Sequence, residues 1–271
     1  MKKFKIIPIF VPHKGCPHQC SFCNQRHITG QHEEITAEKA HAIIKMYLTT
    51  IDSEKNRVEI AFFGGSFTAI DMQSQNELLN VALEYKNLGR VHGIRLSTRP
   101  DYINDNILQN LKSKGVTEIE LGVQSMCDNV LKLNNRGHSP QDVVNASKLV
   151  KDYGFTLGLQ MMVGLIGDTK ETSIFTAREI AKSNPDFVRI YPTLVFKNTD
   201  LYDEYKNGTF VPLTLDEAVD ICAEIAKIFD KQNIKVIRLG LLMSDEEAIN
   251  NFVAGPHHPR FRELVEKQMG L

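Results

Sequence analysis

Three cysteines stand close together near the amino terminus, and their spacing is the feature of this sequence most able to do chemistry. Cys16, Cys20 and Cys23 follow the pattern C-x3-C-x2-C, whereas Cys127 and Cys222 stand alone. A disulfide framework would spread cysteines in pairs, so the cluster indicates reduced thiols. Because a polar loop does not bury three ordinary thiols, we expect these three to be metal ligands.

Two kinds of metal centre fit three clustered thiolates. A structural zinc ion is closed by four ligands, and His13, His18 and His27 are candidates for the fourth. An iron–sulfur cubane held by three cysteines leaves one iron atom open to a further ligand. The residues alone leave both alternatives open.

The composition is that of an ordinary globular protein. The chain has 271 residues, of which 42% are hydrophobic and 24% charged, and its formal net charge is -1. This length fits one large domain or two small ones. The balanced charge excludes a global basic field, so a nucleic-acid partner would need a local patch. The apolar run 6–11 is short and interrupted by Pro8, so we expect no signal peptide, no membrane span and a cytoplasmic location.

Short apolar runs alternate with longer amphipathic stretches, which predicts βα units that form a parallel sheet. The strand candidates are 4–11, 57–64, 94–99, 118–124, 156–163, 187–194 and 235–241. The helix candidates are 36–52, 72–88, 103–114, 127–134, 140–153, 170–183 and 214–232. Thr36, Ser139 and Thr214 are predicted helix N-caps, the last in a capping box with Glu217.

Several of these strands have one apolar and one polar face. In 118–124 the odd positions are apolar, while the even ones include Glu118, Glu120 and Gln124. A flat sheet covered by helices on both sides would need two apolar faces. The pattern instead predicts an α/β fold in which a curved sheet surrounds a polar lumen, as a partial βα barrel does. Edge strands or strands facing solvent are the alternative interpretation.

The cysteine loop, with Phe22 just before its third cysteine, resembles the signature of the radical S-adenosylmethionine (radical SAM) enzymes. This resemblance implies a partial (β/α)6-type barrel and a 4Fe-4S cluster on Cys16, Cys20 and Cys23. It also implies that S-adenosylmethionine binds the open iron and is cleaved reductively to a 5'-deoxyadenosyl radical, which removes a hydrogen atom from the substrate. Phe22 would lie against the adenine.

Further motifs follow the order of this family. Gly64, Gly65 and Ser66 end the second strand candidate, where the family receives the amino group of the cofactor. Paired glycines let backbone carbonyls approach that group closely. Ser66 stands where the family often has an acidic residue.

The resemblance implies three more cofactor contacts. Gln124, followed by Ser125, ends the fourth strand candidate, where the family contacts the ribose. Met162 belongs to the segment 161–168, which resembles the segment beside the adenine. Arg136 would pair with the cofactor carboxylate, because a guanidinium fork suits a carboxylate.

Segments 97–101 and 188–195 resemble the radical SAM domain of the Elongator-type catalytic subunit, which modifies the wobble uridine of tRNA. Other runs are shared with the oxygen-independent coproporphyrinogen oxidase group. Only about thirty residues follow the last strand candidate, so we expect no acetyltransferase domain, a barrel over 1–243 and a C-terminal extension over 244–271. The uridine chemistry therefore cannot be transferred whole, and the substrate stays open.

Four side chains on the polar faces are candidate substrate contacts: Arg95, Arg99, Arg189 and Tyr191. Pointing inward, they would suit an anionic or polar substrate, such as a phosphate or a carboxylate. Alternatively, they support the cofactor or one another through salt bridges to Glu118 and Glu120. The basic segment 255–262 is either a nucleic-acid contact or a solvated tail anchored by Phe261.

The sequence thus predicts a radical SAM enzyme that acts on a polar substrate, with tRNA as a candidate. Its chemistry implies a one-electron donor such as flavodoxin or ferredoxin. Two alternatives remain. One is a non-catalytic barrel that binds zinc and RNA, and the other is a radical SAM enzyme of small-molecule, porphyrin-like metabolism.

Overall fold

Helices and strands alternate along nearly all of the chain that the computed structural model describes, namely residues 3–11, 16, 19–23, 35–243 and 246–270. The strands are β1 (Lys3–Phe10), β2 (Asn56–Phe63), β3 (Gly93–Thr98), β4 (Glu118–Gln124), β5 (Thr156–Val163), β6 (Phe187–Pro192), β7 (Val195–Phe196), β8 (Lys235–Leu239) and β9 (Phe252–Ala254). The α-helices are α1 (Ala37–Thr50), α2 (Met72–Asn87), α3 (Asp105–Ser113), α4 (Asp128–Leu133), α5 (Pro140–Asp152), α6 (Lys170–Lys182), α7 (Asp200–Lys206), α8 (Leu215–Lys231), α9 (Glu246–Asn251) and α10 (Phe261–Met269).

Seven strands form one parallel sheet in the order β1-β2-β3-β4-β5-β6-β8. Every neighbouring pair is parallel, and helices connect the strands, as expected for successive βα units. β7 and β9 pair separately as a small antiparallel sheet. The predicted partial βα barrel is confirmed, and all seven strand candidates correspond to strands of the large sheet.

The two faces of the sheet differ as the sequence pattern predicted. Ile119, Leu121 and Val123 of β4 are fully buried in the hydrophobic core. Glu120 and Gln124, on the opposite face of the same strand, line a cavity. The polar face therefore encloses a lumen, and the alternative of strands facing solvent is wrong.

The predicted helix starts are also present. Thr36 accepts a hydrogen bond from the backbone of Lys39, and Ser139 and Thr214 each form a capping box. The sequence analysis missed the short helices α7, α9 and α10 and the strands β7 and β9. The two strands have only two and three residues. The three helices have six to nine residues, which is the length of α3 and α4.

The last helix belongs to the same core as the barrel. Phe261 and Val265 of α10 are buried in the main hydrophobic cluster. Phe261 is therefore the anchor that the sequence analysis named, while the division between 243 and 244 stays a prediction. Within the described ranges, no helix combines the length and the apolar character needed to cross a membrane.

Candidate metal and cofactor site

A cavity of about 530 Å³ opens at the carboxyl ends of the parallel strands. Its wall runs from Phe10 at the end of β1 to Tyr191 at the end of β6, and Leu241 and Met243 continue it after β8. Parallel βα folds bind their ligands at this end of the sheet. The cavity is therefore the candidate functional site.

The three clustered cysteines line this cavity together. The backbone N–H of Cys23 donates to the carbonyl oxygen of Cys20 at 3.0 Å. This bond closes a turn, which keeps the two Cα atoms within about 7 Å. Across the described residues no disulfide is present, and Cys127 and Cys222 lie outside the cavity lining.

Two guanidinium groups lie near the thiol of Cys16. Burial raises the pKa of this thiol and nearby Cys20 adds to the effect, whereas Arg136, Arg99 and a hydrogen bond from the backbone of Ser66 act in the opposite direction. The net result is a raised pKa. Burial therefore outweighs the two guanidinium groups, which only partly offset its cost for a thiolate.

The fourth ligand of a zinc site cannot be located, because His13, His18 and His27 lie outside the described residues. Among the residues that are described, no group of three or more His, Cys, Asp or Glu side chains is arranged around a single ion. In a cubane each cysteine binds a different iron atom, so its ligands do not converge on one point. Three thiols on one cavity wall, flanked by cationic groups, fit such a cluster.

Asn134, which the sequence analysis did not single out, fixes the cysteine loop. Its side-chain oxygen accepts hydrogen bonds from the hydroxyl of Ser21 at 2.8 Å and from the backbone of Ile166 at 3.3 Å. Its amide nitrogen donates to the carbonyl oxygens of Val130 and Ile166. The carbonyl oxygen of Ser21 accepts from the backbone of Leu201 at 2.8 Å. One buried amide therefore joins the cysteine loop to the end of α4 and to the loop after β5.

Only part of the predicted Gly-Gly-Ser segment faces the cavity. Gly64 and Gly65 line it, but Ser66 does not. The Ser66 hydroxyl lies 3.0 Å from the Thr98 hydroxyl and accepts from the backbone of Arg99 at 3.3 Å. Ser66 therefore reaches the site through its backbone, which lies beside Cys16, and not through its side chain.

A β-bulge at the end of β4 turns Gln124 into the cavity. Its backbone has a φ of 65°, which is a left-handed conformation that costs a non-glycine residue about 1–3 kcal/mol. The amide of Gln160 on β5 donates to its side-chain oxygen at 3.3 Å. Gln124 thus presents its amide to the cavity, together with Phe22 and Met162.

Arg136 and Arg99 are buried side by side in the cavity wall. Arg136 donates from Nη1 to the sulfur of Cys20 at 3.4 Å and from Nη2 to the carbonyl oxygen of Gly122. Arg99 donates to both carboxylate oxygens of Asp101 and, at 2.6 Å, to the carbonyl oxygen of Arg136. Nη1 of Arg99 is buried and has no partner among the described residues. Such an orphaned cationic donor fits a site that receives an anionic group.

Arg189 and Tyr191 point into the lumen, as predicted. Nε of Arg189 lies 2.7 Å from Glu120, and its Nη1 donates to the hydroxyl of Tyr191 at 3.4 Å. The guanidinium group also lies over the ring of Phe63, 5.7 Å from its centre. The ion pair with Glu120 balances the charge of Arg189, so this part of the lumen is polar and close to neutral.

The sequence analysis named Arg95 as a candidate substrate contact, and the structure corrects this prediction. It does not line the cavity and is only 4% exposed. It forms an ion pair with Glu118, and its Nη1 lies 3.6 Å from Glu59. The reason is that the carboxylates of Glu59, Glu118 and Glu120 lie at the amino-terminal end of the lumen, below the cavity, and Arg95 pairs with them there. For Arg95, the alternative interpretation of a salt bridge to Glu118 is therefore the one that the structure supports.

Comparisons with known proteins agree with the fold. The family model "Radical SAM superfamily" matches residues 10–180, and the model "Radical_SAM C-terminal domain" matches residues 185–270. The chain is 31% identical over 243 residues to a tRNA uridine(34) acetyltransferase of Methanocaldococcus infernus, covering 82% of this chain and 44% of that protein. It is 32% identical over 192 residues to the human Elongator complex protein 3, covering 63% of this chain and 35% of that protein. The chain spans about half the length, or less, of these relatives.

Two solved structures share the fold. The archaeal Methanocaldococcus infernus Elp3 with an N-terminal deletion superposes with a TM-score of 0.78 at 23% identity, covering all of this chain and 63% of that one. Coproporphyrinogen III oxidase from Escherichia coli superposes with a TM-score of 0.65 at 18% identity, covering 92% of this chain and 57% of that one. With the family model matching well over half of its length around the cysteine cavity, this chain belongs to the radical SAM superfamily of enzymes.

Proposed function

We propose that this enzyme holds a 4Fe-4S cluster on Cys16, Cys20 and Cys23 and cleaves S-adenosylmethionine reductively in the cavity at the carboxyl ends of the strands. The observation that carries the proposal is that all three thiols line one cavity with Gly64 and Gly65. When bound, the cluster would supply the electron that splits the cofactor into methionine and a 5'-deoxyadenosyl radical. The electron itself would come from a donor such as flavodoxin or ferredoxin.

The chain's own residues would bind and orient the cofactor. Gly64 and Gly65 offer backbone carbonyls to its amino group, and Gln124 offers an amide to its ribose. Phe22 and Met162 supply apolar surface for the adenine. Ser66 and Arg136 contact cysteines, so we assign them to the cysteine loop instead of to direct cofactor contacts.

The cavity also has polar side chains deeper in the lumen, where a substrate would bind. Arg189 and Tyr191 present hydrogen-bond donors there, and Arg99 has an unpartnered nitrogen within the described site. A substrate that fills the lumen would shield a reactive radical from water. The names of the relatives make a tRNA the proposed substrate.

Metal content tests the first part of this proposal. After anaerobic reconstitution we expect about four iron and four sulfide per chain, as a cubane requires. Cys20→Ala should lose the cluster and keep the fold, because Cys20 belongs to neither hydrophobic cluster. Cys127→Ala is the matched control and should bind iron normally, since Cys127 lies outside the cavity lining. Stoichiometric zinc in the wild type with iron freely available would contradict the proposal.

A measurement of tRNA binding tests the proposal that the substrate is a tRNA. Filter binding at a series of salt concentrations should show an affinity that falls as salt rises, because phosphate contacts release counterions. A protein that binds no tRNA at low salt would contradict this assignment while leaving cofactor cleavage intact.

A further inference from the structure

Arg136 is in direct contact with one of the three clustered cysteines. Its Nη1 donates a hydrogen bond to the sulfur of Cys20 at 3.4 Å, and its side chain is buried. Its Nη2 donates to the carbonyl oxygen of Gly122. Both terminal nitrogens therefore already have a hydrogen-bond partner within the protein, whereas Nε is buried and has none among the described residues.

The surrounding backbone holds Arg136 in this position. Its backbone N–H donates to the carbonyl oxygen of Leu131 at 2.9 Å, and its carbonyl oxygen accepts from Arg99 at 2.6 Å. A Cβ atom at position 122 would lie only 2.8 Å from Nη2. Glycine at 122 is what permits the guanidinium group to reach both its carbonyl oxygen and Cys20.

On the basis of the cluster in the proposed function, the geometry points to Arg136 as the residue that raises the reduction potential of that cluster through its hydrogen bond to the Cys20 sulfur. Hydrogen bonds to ligand sulfurs and nearby positive charge are known determinants of iron–sulfur potentials. Reduction adds one electron, taken from the external donor, and breaks no bond. A cationic donor stabilises the more negative, reduced state, so its removal lowers the potential.

Three variants test this inference without relying on turnover. Arg136→Gln removes the charge, and Arg136→Lys keeps the charge but removes the guanidinium group. Gly122→Ala keeps Arg136 but places a Cβ atom 2.8 Å from its Nη2 and 3.0 Å from Nε2 of Gln124, so the flexible end of Arg136 must leave its present position. The potential of the reconstituted cluster is measured by redox titration followed by electron paramagnetic resonance, without S-adenosylmethionine. Arg189→Gln is the matched control, because it removes an arginine of the same cavity that has no contact with a cysteine.

We expect Arg136→Gln to lower the equilibrium constant for reduction roughly tenfold, which is about 59 mV for a one-electron couple. Arg136→Lys and Gly122→Ala should shift the potential in the same direction but less, and Arg189→Gln should shift it least. If Arg136→Gln fails to fold or to load iron, the reduction potential of the Gly122→Ala variant tests the inference instead.

An unchanged potential in iron-loaded Arg136→Gln, or in Gly122→Ala where the first variant is lost, overturns the inference. If that unchanged potential comes with weaker binding of S-adenosylmethionine, Arg136 is a carboxylate contact instead. A wild-type protein that assembles no iron–sulfur cluster overturns the proposed function itself, which is a different result from an unchanged potential.

Discussion

The hydroxyl of Ser21 donates a 2.8 Å hydrogen bond to the side-chain oxygen of Asn134, across 113 residues of sequence. The backbone N–H of Ser21 also donates to the carbonyl oxygen of Asn134 at 3.2 Å. Ser21 lies between two of the clustered cysteines, and Asn134 ends α4. These two hydrogen bonds between distant segments fix the loop that would hold the cluster.

We predict that Asn134→Ala loosens this loop and destabilises the fold. Asn134 is 1% exposed, and its removal leaves Ser21 and both backbone groups of Ile166 without their buried partner. Each unsatisfied buried group costs about 1–3 kcal/mol. The free energy of unfolding, measured in urea, should fall by roughly 2–4 kcal/mol.

Ser21→Ala removes a single hydrogen bond from the same contact and should cost only about 1 kcal/mol. Its reconstituted cluster should lose iron to a chelator faster than the wild-type cluster. Ser113→Ala is the control, because the Ser113 hydroxyl bonds to Asn110 on an exposed helix surface. Equal rates of iron loss in Ser21→Ala and Ser113→Ala would show that the contact does not hold the loop.

Arg95→Met should destabilise the protein strongly. Arg95 compensates the carboxylates of Glu59, Glu118 and Glu120, of which Glu59 and Glu120 are buried. Removing the cation of a buried ion pair costs roughly 3–5 kcal/mol. Arg57→Met is the matched control, since Arg57 is 62% exposed, and should cost at most about 1 kcal/mol.

Urea unfolding of both variants checks this prediction. An Arg95→Met variant that is as stable as Arg57→Met would contradict the proposed compensation.

Gly158→Ala should be poorly tolerated because of one ring. A Cβ atom at position 158 would overlap the ring of Phe187. The guanidinium group of Arg95 lies over the same ring, 5.5 Å from its centre. Overpacking of this kind costs about 1–3 kcal/mol. Adding Phe187→Leu should recover part of the loss, so the double variant should be more stable than the two single effects predict. Strictly additive unfolding energies would contradict the predicted contact.

Much of the fold follows from local patterns in the sequence. The alternation of apolar runs and amphipathic stretches predicted every strand of the large sheet. The alternation of apolar and polar side chains along β4 predicted which face of the sheet encloses the lumen. Thr36, Ser139 and Thr214 marked helix starts, because capping depends only on residues three positions apart. The helices α7, α9 and α10 were missed, although α3 and α4, which are of similar length, were predicted. Both α9 and α10 follow the last strand candidate and therefore lie outside the alternation of strands and helices.

The site was less predictable because it depends on contacts between distant residues. Spacing alone selected the three cysteines, but no local signal marks Asn134, whose partners come from three separate segments. Arg95 and Arg189 have the same parity on their strands, yet only Arg189 lines the cavity. The difference lies in height along the lumen, which the sequence pattern does not encode.

Release of 5'-deoxyadenosine tests the central claim most directly. Wild-type protein, reconstituted anaerobically and reduced with dithionite, should convert S-adenosylmethionine to 5'-deoxyadenosine and methionine in equal amounts. Cys127→Ala should do the same, and Cys20→Ala should release neither product. If the wild-type protein carries a full complement of iron and sulfide and still leaves S-adenosylmethionine intact under these conditions, the account is contradicted.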